Sequence, residues 1–148
     1  MAFRFTLAPL LRLRQSLERQ RALALQQATF NLKHAQDTLA RLERFLAESE
    51  LADSASLAAG RTAAELQFAS LLREQFGQLR LQLEKEVRRL ETLRQQAALA
   101  YQRAYREREA LDTLRAHQSR AYQIEQSGRQ QRELDAAFLL QRWHARSG

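Results

Sequence analysis

The 148-residue chain has a composition that predicts long helices and excludes several classes of protein. Leu, Ala, Gln, Arg and Glu dominate, and these are strong helix formers, whereas one Pro and four Gly are too few to punctuate a fold of many short elements. The absence of Cys excludes disulfide and thiol chemistry, and the net charge of +7 is spread along the chain.

The first residues predict the start of a helix rather than a signal peptide. Their apolar run is short and is interrupted by Arg12 and Arg14. Thr6 is a suitable N-cap, and Pro9 then falls in the first turn, where its missing N–H costs little. No segment approaches the roughly 18 consecutive apolar residues of a membrane span. We therefore expect a soluble, cytoplasmic protein.

A stripe of apolar residues predicts a first helix over about residues 6–48. The stripe ends near Glu48, and the following stretch is rich in Ala and Ser and contains Gly60, the best turn residue in the first half. We place a bend at about 49–64, part of which can stay helical because Ala resists breaking. The clearest members of the stripe are Leu25, Ala28, Leu32, Ala35, Leu39, Leu42 and Leu46.

A heptad ladder predicts a second helix over about residues 65–126, ending at Ser127-Gly128. Twelve of its fourteen positions are apolar, and the two exceptions are Glu86 and Glu107, which set register or leave the packing to neighbours such as Val87. The first row is Ala69, Phe76, Leu83, Leu90, Ala97, Ala104 and Leu111, and the second is Leu72, Leu79, Glu86, Leu93, Ala100, Glu107 and Leu114.

A narrow heptad stripe can be buried only against another helix, so the chain is predicted to form an all-α coiled coil. Two chains could pair in parallel, or one chain could fold back on itself. The Ala/Ser/Gly break between the heptad segments favours the second, a long antiparallel two-helix hairpin that forms a single domain over residues 1–148. An amphipathic tail is expected over 129–146.

No residue pattern indicates catalysis, a metal or a cofactor, so we expect a protein that is not an enzyme. His34, His117 and His144 are isolated, and the sequence holds no glycine-rich phosphate loop and no nucleophile motif. Basic residues alternate with acids, as on a solvated coiled-coil face, so nucleic-acid binding is not expected. A basic rod suits an acidic protein surface better.

Large apolar residues outside the stripes indicate docking surfaces. Phe68 and Leu71 lie beside ladder positions just past the bend, and either they form a patch at the tip of the rod or the bend folds over them. In a hairpin, the aromatic residues near both termini would meet at the base of the rod, where they cap each other or bind a partner. These are Phe3, Phe5, Phe138 and Trp143.

Three segments carry motifs that together span nearly the whole chain. Residues 3–11 have the pattern F-x-F-x-L-x-x-L-L, with Arg12, Arg14 and Glu18 after it. Residues 68–76 have the pattern F-x-x-x-L-x-x-x-F, and residues 133–138 begin with E-x-D. These segments resemble the start, a middle segment and the ending of the flagellar export protein family FliJ, although Phe76 stands where the family's F-x-x-x-L-x-x-x-I segment has Ile.

The resemblance implies a non-enzymatic coiled-coil stalk of the flagellar type III export apparatus. The termini would bind a hexameric export ATPase, and the bend would contact the export gate protein at the inner face of the membrane. Export chaperones are further candidate partners. The implied gate contacts are Phe68, Leu72 and Leu71, and the implied ATPase contacts are Phe3, Phe5, Arg12, Arg14, Phe138 and Trp143.

Two alternatives stay open at the level of the sequence. One is the equivalent stalk of a non-flagellar type III secretion system, which the pattern separates poorly from the flagellar one. The other is a basic coiled coil that binds nucleic acid, for which the sequence lacks the continuous arginine stripes that such a protein would use.

Overall fold

The computed structural model describes residues 2–147, in which two α-helices, and no strands, are found. Helix α1 is Ala8–Ala59 and helix α2 is Ala63–Ser147. The two long helices pack against each other as a helical hairpin, which confirms the predicted all-α, two-helix fold.

Contacts between residues divide the chain into two units. The turn unit is Arg19–Gln102, and the terminal unit is Met1–Glu18 with Arg103–Gly148. A single domain over the whole chain stays a prediction.

Within the turn unit the helices run antiparallel. The ring centroids of Phe45 and Phe76 lie 5.3 Å apart, and the Glu43 carboxylate lies 3.7 Å from the Arg80 guanidinium. Earlier residues of α1 therefore meet later residues of α2, as a hairpin requires.

The apolar stripe of α1 faces α2, as predicted. All seven residues from Leu25 to Leu46 are half-buried or buried, and Leu32 is 7% exposed. The same three- and four-residue spacing continues beyond the predicted end of the helix, through the half-buried residues Ser49, Asp53 and Ser56. The inner face of α1 thus changes from apolar to polar as it approaches the turn.

The two rows of the α2 ladder differ in how far they are buried. Every member of the first row, from Ala69 to Leu111, is half-buried or buried. The leucines of the second row lie at the exposed edge of the helix pair. An α-helix drifts relative to an exact heptad repeat, and a single partner helix covers only a narrow strip. The strip that α1 covers includes a neighbouring row instead, which is Val87, Arg94, Tyr101 and Arg108.

The bend is much shorter than the predicted span of 49–64. Helix α1 continues to Ala59 because Ala favours helix strongly. Ser54 and Ser56 do not break the helix, since each donates a hydrogen bond, of 3.0 and 2.9 Å, to a carbonyl one turn back. Gly60 then adopts a left-handed φ of 86°, which Gly tolerates best. Thr62 caps α2 by accepting a 3.3 Å hydrogen bond from the Glu65 N–H.

Helix α2 also continues beyond its predicted end at Ser127-Gly128. Gly128 weakens a helix but does not stop one, and no Pro follows it. Side-chain contacts one turn apart span the site: Arg129 pairs with Glu125 at 3.1 Å, and the Arg132 guanidinium donates to the Gly128 carbonyl at 3.2 Å. The predicted tail is therefore the last part of α2.

Leu32→Ala should destabilise the turn unit by about 2 kcal/mol, because it deletes a buried side chain from a layer too thin to refill the space. The matched control is Leu23→Ala on the same helix, where the side chain is 65% exposed and the expected change is within about 0.5 kcal/mol. Urea unfolding followed by circular dichroism measures both. Equal effects would show that the assigned inner face of α1 is wrong.

Two glycine substitutions should change stability in opposite directions. Gly60→Ala should destabilise the turn by about 1 kcal/mol, since Ala is strained at a positive φ. Gly77→Ala lies inside α2 with nothing within 4 Å of the added methyl group, so it should stabilise by up to about 1 kcal/mol. Thermal unfolding of the two variants tests this, and a stabilising Gly60→Ala would contradict the assigned turn.

Candidate functional site

An open cavity of about 340 Å³ lies beside the turn, within the turn unit. Its aromatic floor is the Phe45–Phe76 pair, whose rings meet edge to face at 63°. Both helices therefore build the cavity, and apolar side chains dominate one side of it. The apolar lining residues are Phe45, Leu46, Phe68, Ala69, Leu72 and Phe76.

The predicted gate contacts Phe68, Leu71 and Leu72 form one surface, which we call the turn patch. They share a helix face, because Leu71 and Leu72 lie three and four residues after Phe68. Phe68 is 65% exposed, and Leu71 and Leu72 are also exposed, so the turn does not fold over them. Leu72 is a ladder residue, yet its place in the edge row keeps it accessible. Phe45 is also exposed, and its ring packs on that of Phe76.

A cluster of charged side chains forms the other side of the cavity. Asp53 accepts from two guanidinium groups: Arg61 contacts Oδ1 at 3.0 Å, and Arg73 donates to Oδ2. Only 16% of the Asp53 side chain is exposed. The hydrogen bond from Arg73 is the main cause that holds the pKa of Asp53 below its ordinary value of 3.8, against an opposing effect of desolvation.

The sequence pattern did not single out this cluster, which we call the Asp53 cluster. The available signal was the spacing of the inner face, since Asp53 follows Leu42, Leu46 and Ser49 at helical intervals. A charge at such a position implies partners, because burying an unpaired carboxylate is costly. The identity of those partners depends on the short turn, which brings Arg61 and Arg73 to the same carboxylate.

In the terminal unit, the first residues fold back onto α1 and α2. Phe5 and Leu11 are buried beside a cavity of about 350 Å³, which Arg12 and Phe3 also line. The Phe3 ring lies 5.7 Å from that of Tyr122. Phe3 therefore meets Tyr122, and not Phe138 or Trp143 as the sequence pattern suggested.

An ion network also joins α1 to α2 in the terminal unit. Arg108 donates to both carboxylate oxygens of Glu18 at 2.6 and 3.2 Å and to Asp112 at 2.6 Å, and its guanidinium lies 5.0 Å from the centroid of the Tyr105 ring. The hydrogen bonds to Glu18, and to a lesser extent that to Asp112, raise the pKa of Arg108 above its ordinary value. Arg14, a predicted ATPase contact, pairs with Glu107 at 2.6 Å. Glu107 is one of the two ladder positions that are not apolar, and this pair gives it a partner.

The last part of α2 is exposed over its whole length from 129 to 147. Phe138 is 62% exposed and Trp143 is 66% exposed. The five consecutive apolar residues 136–140 surround the helix, since each residue turns it by about 100°. The helix is therefore apolar on all sides over this turn, and the amphipathic character of 129–146 as a whole stays a prediction. Leu140 was missed as a candidate, although the run of five apolar residues could have indicated it.

The described part of the chain, residues 2–147, holds no group of His, Asp or Glu residues placed to bind a metal ion. Over the same residues, neither helix has a stretch sufficiently long and apolar to cross a membrane. The features that stand out are instead a two-helix coiled coil, an apolar turn patch with a cavity, and an exposed apolar helix end.

These features are those of a long helical hairpin with exposed apolar surfaces, the architecture of a helical stalk. The family model described as Flagellar FliJ protein matches residues 3–148, which is essentially the whole chain, and the chain therefore belongs to that family. The FliJ family is a non-catalytic component of flagellar export. Comparison with curated proteins and with solved structures found no match.

The stabilising effect of the Asp53 cluster should disappear in acid. A carboxylate whose pKa is lowered by folding contributes stability above its ordinary value of 3.8, and this contribution is lost as the pH falls through the lower pKa of the folded state. Wild type should unfold at a higher temperature than Asp53→Asn at neutral pH, and the two should converge in strong acid. Asp53→Asn leaves Arg61, Arg73 and Glu65, the other charged residues that line the cavity, unchanged.

Asp37→Asn, which changes an exposed acid elsewhere on α1, is the matched control and should follow wild type at every pH. A difference between wild type and Asp53→Asn that persists unchanged into strong acid would contradict the role assigned to the carboxylate.

Proposed function

We propose that the protein is a non-enzymatic stalk of the flagellar type III export apparatus that couples the hexameric export ATPase to the membrane export gate. The observation that supports this proposal is the exposed turn patch, because Phe68 and Leu72 are exposed and stand in the segment that resembles the family's F-x-x-x-L-x-x-x-I motif. In this function the protein works in the cytoplasm, at the inner face of the cell membrane.

The turn patch supports docking to the gate on energetic grounds. An exposed aromatic with two leucines beside it forms a compact apolar anchor, and such anchors supply most of the binding energy of protein interfaces. The adjoining cavity offers a space of about 340 Å³ for side chains of the partner. Asp53, Arg61 and Arg73, which also line it, are already paired with one another, so contact with these three side chains need not bury an unpaired charge.

The exposed end of α2 supports binding to the ATPase. A helix that is apolar on all sides is normally covered on all sides, and a ring-shaped partner can do that. We assign direct contact to Phe138 and Trp143, with Arg12 beside the N-terminal cavity as a further contact. Phe5 and Arg14 are buried or ion-paired, so we assign them to holding the terminal unit together.

The flagellar system is favoured over a non-flagellar secretion system because the matching family is flagellar. Export chaperones are further candidate partners, for which exposed apolar residues such as Leu23 on α1 are available. Nucleic-acid binding is not proposed, since arginines on both helices are held by acids of the same chain. The pairs that do this include Arg14–Glu107, Arg61–Asp53, Arg89–Glu86 and Arg108–Glu18.

Phe68→Ala should weaken binding to the soluble domain of the export gate about fivefold or more, because truncating an aromatic anchor typically costs over about 1 kcal/mol. Titration calorimetry measures the binding, and a swimming assay measures the consequence for motility. The control is Phe30→Ala, which removes an aromatic of nearly equal exposure (66%, against 65% for Phe68) outside the turn patch. Unchanged gate binding by a folded Phe68→Ala protein would show that docking does not use the patch.

Phe138→Ala together with Trp143→Ala should weaken binding to the hexameric ATPase about tenfold or more while leaving gate binding unchanged, because the two surfaces serve different partners. Phe68→Ala should show the opposite pattern, with ATPase binding retained. Co-sedimentation with the assembled ATPase ring measures the first interaction. Full ATPase binding by the double variant would exclude the exposed end of α2 as the contact.

A further inference from the structure

Asp53 occupies a position where an apolar residue would be expected. It lies on the inner face of α1, seven residues after Leu46 and four after Ser49, and its side chain is only 16% exposed. A carboxylate there must give up water that it keeps on the outer face, and its two arginine contacts offset that cost. Replacing a buried ion pair by well-packed apolar residues is often neutral or stabilising. Stability alone therefore does not explain a charge at position 53.

The two arginines come from different elements of the hairpin. Arg61 belongs to the three-residue connection between the helices, whereas Arg73 lies in the third turn of α2. Since each guanidinium takes a different oxygen of the same carboxylate, one side chain of α1 fixes both the turn and the start of α2. Charge-assisted bonds of this kind are directional, unlike apolar contacts, and therefore define an arrangement of the backbone.

The elements that this cluster fixes are the ones that carry the turn patch. Arg73 follows Leu72 directly and lies five residues after Phe68. All three, with Asp53 and Arg61, line the same cavity, whose floor is shared between the helices through Phe45 on α1. The placement of Phe68 relative to Phe45 therefore depends on how α2 leaves the turn.

We propose that Asp53 is a positioning residue for docking: through Arg61 and Arg73 it holds the turn patch and the adjoining cavity in the arrangement that the partner binds. The inference rests on the proposed function of the turn patch. Preorganisation of this kind strengthens binding because the partner does not have to order the surface that it contacts.

Asp53→Asn tests the inference in the full-length chain, with the soluble domain of the export gate as the probe. Asn keeps the shape of Asp but cannot neutralise two guanidinium groups. We expect about a tenfold loss of affinity at a temperature where circular dichroism shows wild-type helicity. Asp53→Glu restores the charge and should recover most of the affinity, and Asp37→Asn should bind as wild type does.

A distance measurement separates positioning from a general loss of stability. Spin labels at the exposed positions Glu50 and Gln75 flank the cluster on α1 and α2. The distribution of distances between the labels should be broad in Asp53→Asn and narrow in wild type and in Asp53→Glu. Adding Asp53→Asn to Phe68→Ala should cost little more affinity than Phe68→Ala alone, because residues that act through the same contact are not additive.

The possible results distinguish this inference from the docking proposal. If Phe68→Ala weakens binding but Asp53→Asn does not, the positioning role is wrong and docking stands. If Phe68→Ala has no effect, docking at the turn patch is wrong and the inference is overturned with it. If Asp53→Asn loses helicity, Arg73→Gln takes its place, since it keeps the Asp53–Arg61 pair, and wild-type affinity of a folded Arg73→Gln overturns the inference.

Discussion

The packing of one helix against a single partner helix is the constraint on which the rest of the structure depends. Two helices can cover only one narrow strip of each other, so few side chains become fully buried. The buried apolar residues in the described part of the chain are Phe5, Leu11, Leu32 and Ala104. Stability must therefore accumulate over many half-buried layers, with no central core to dominate it.

This constraint explains why a two-helix protein of this kind can present so much apolar surface. Once the inner strip is covered, every other apolar residue lies on an edge or an outer face. The second ladder row lies at the edge, and the turn patch uses one of its members, Leu72. Beyond the residues that meet the N-terminal segment, as Tyr122 meets Phe3, the last part of α2 is exposed on all sides. Docking surfaces arise where pairing is incomplete or ends.

The sequence predicts what is periodic and misses what depends on single contacts between distant residues. The stripe from Leu25 to Leu46, the first ladder row and the hairpin all follow from spacing. The extent of the bend does not follow from spacing, because Ala and Ser are compatible with both helix and turn. The left-handed Gly60 and the Thr62 cap fix where α1 ends and α2 begins. The end of α2 was missed because one Gly was given the weight of a helix stop.

The candidate sites show the same division. The position of Phe68 and Leu71 outside the ladder rows follows from the sequence, whereas their exposure does not, because the bend could have folded over them. The neighbour of Phe3 could not be predicted, because heptad spacing does not fix the register of two paired helices to within a few residues. In the terminal unit the ring beside Phe3 is that of Tyr122. Likewise, no local pattern joins Asp53 to Arg73, twenty residues away.

Register is the property that a repeating apolar ladder specifies least, and the short turn and the charged side chains of the inner strip supply it. Within the apolar rows, sliding one helix by a heptad would replace leucines mostly with leucines or alanines at a modest cost. The same slide would require the three-residue connection to lengthen at the expense of a helix end. It would also separate Arg108 from Glu18 in the terminal unit and Asp53 from Arg73 in the turn unit, leaving partly buried charges without partners. The turn and the ion clusters thus select one alignment. Under the proposed function, that selection keeps Phe68 at a defined place beside the turn, which a ladder alone would not do because it permits neighbouring alignments with different surfaces.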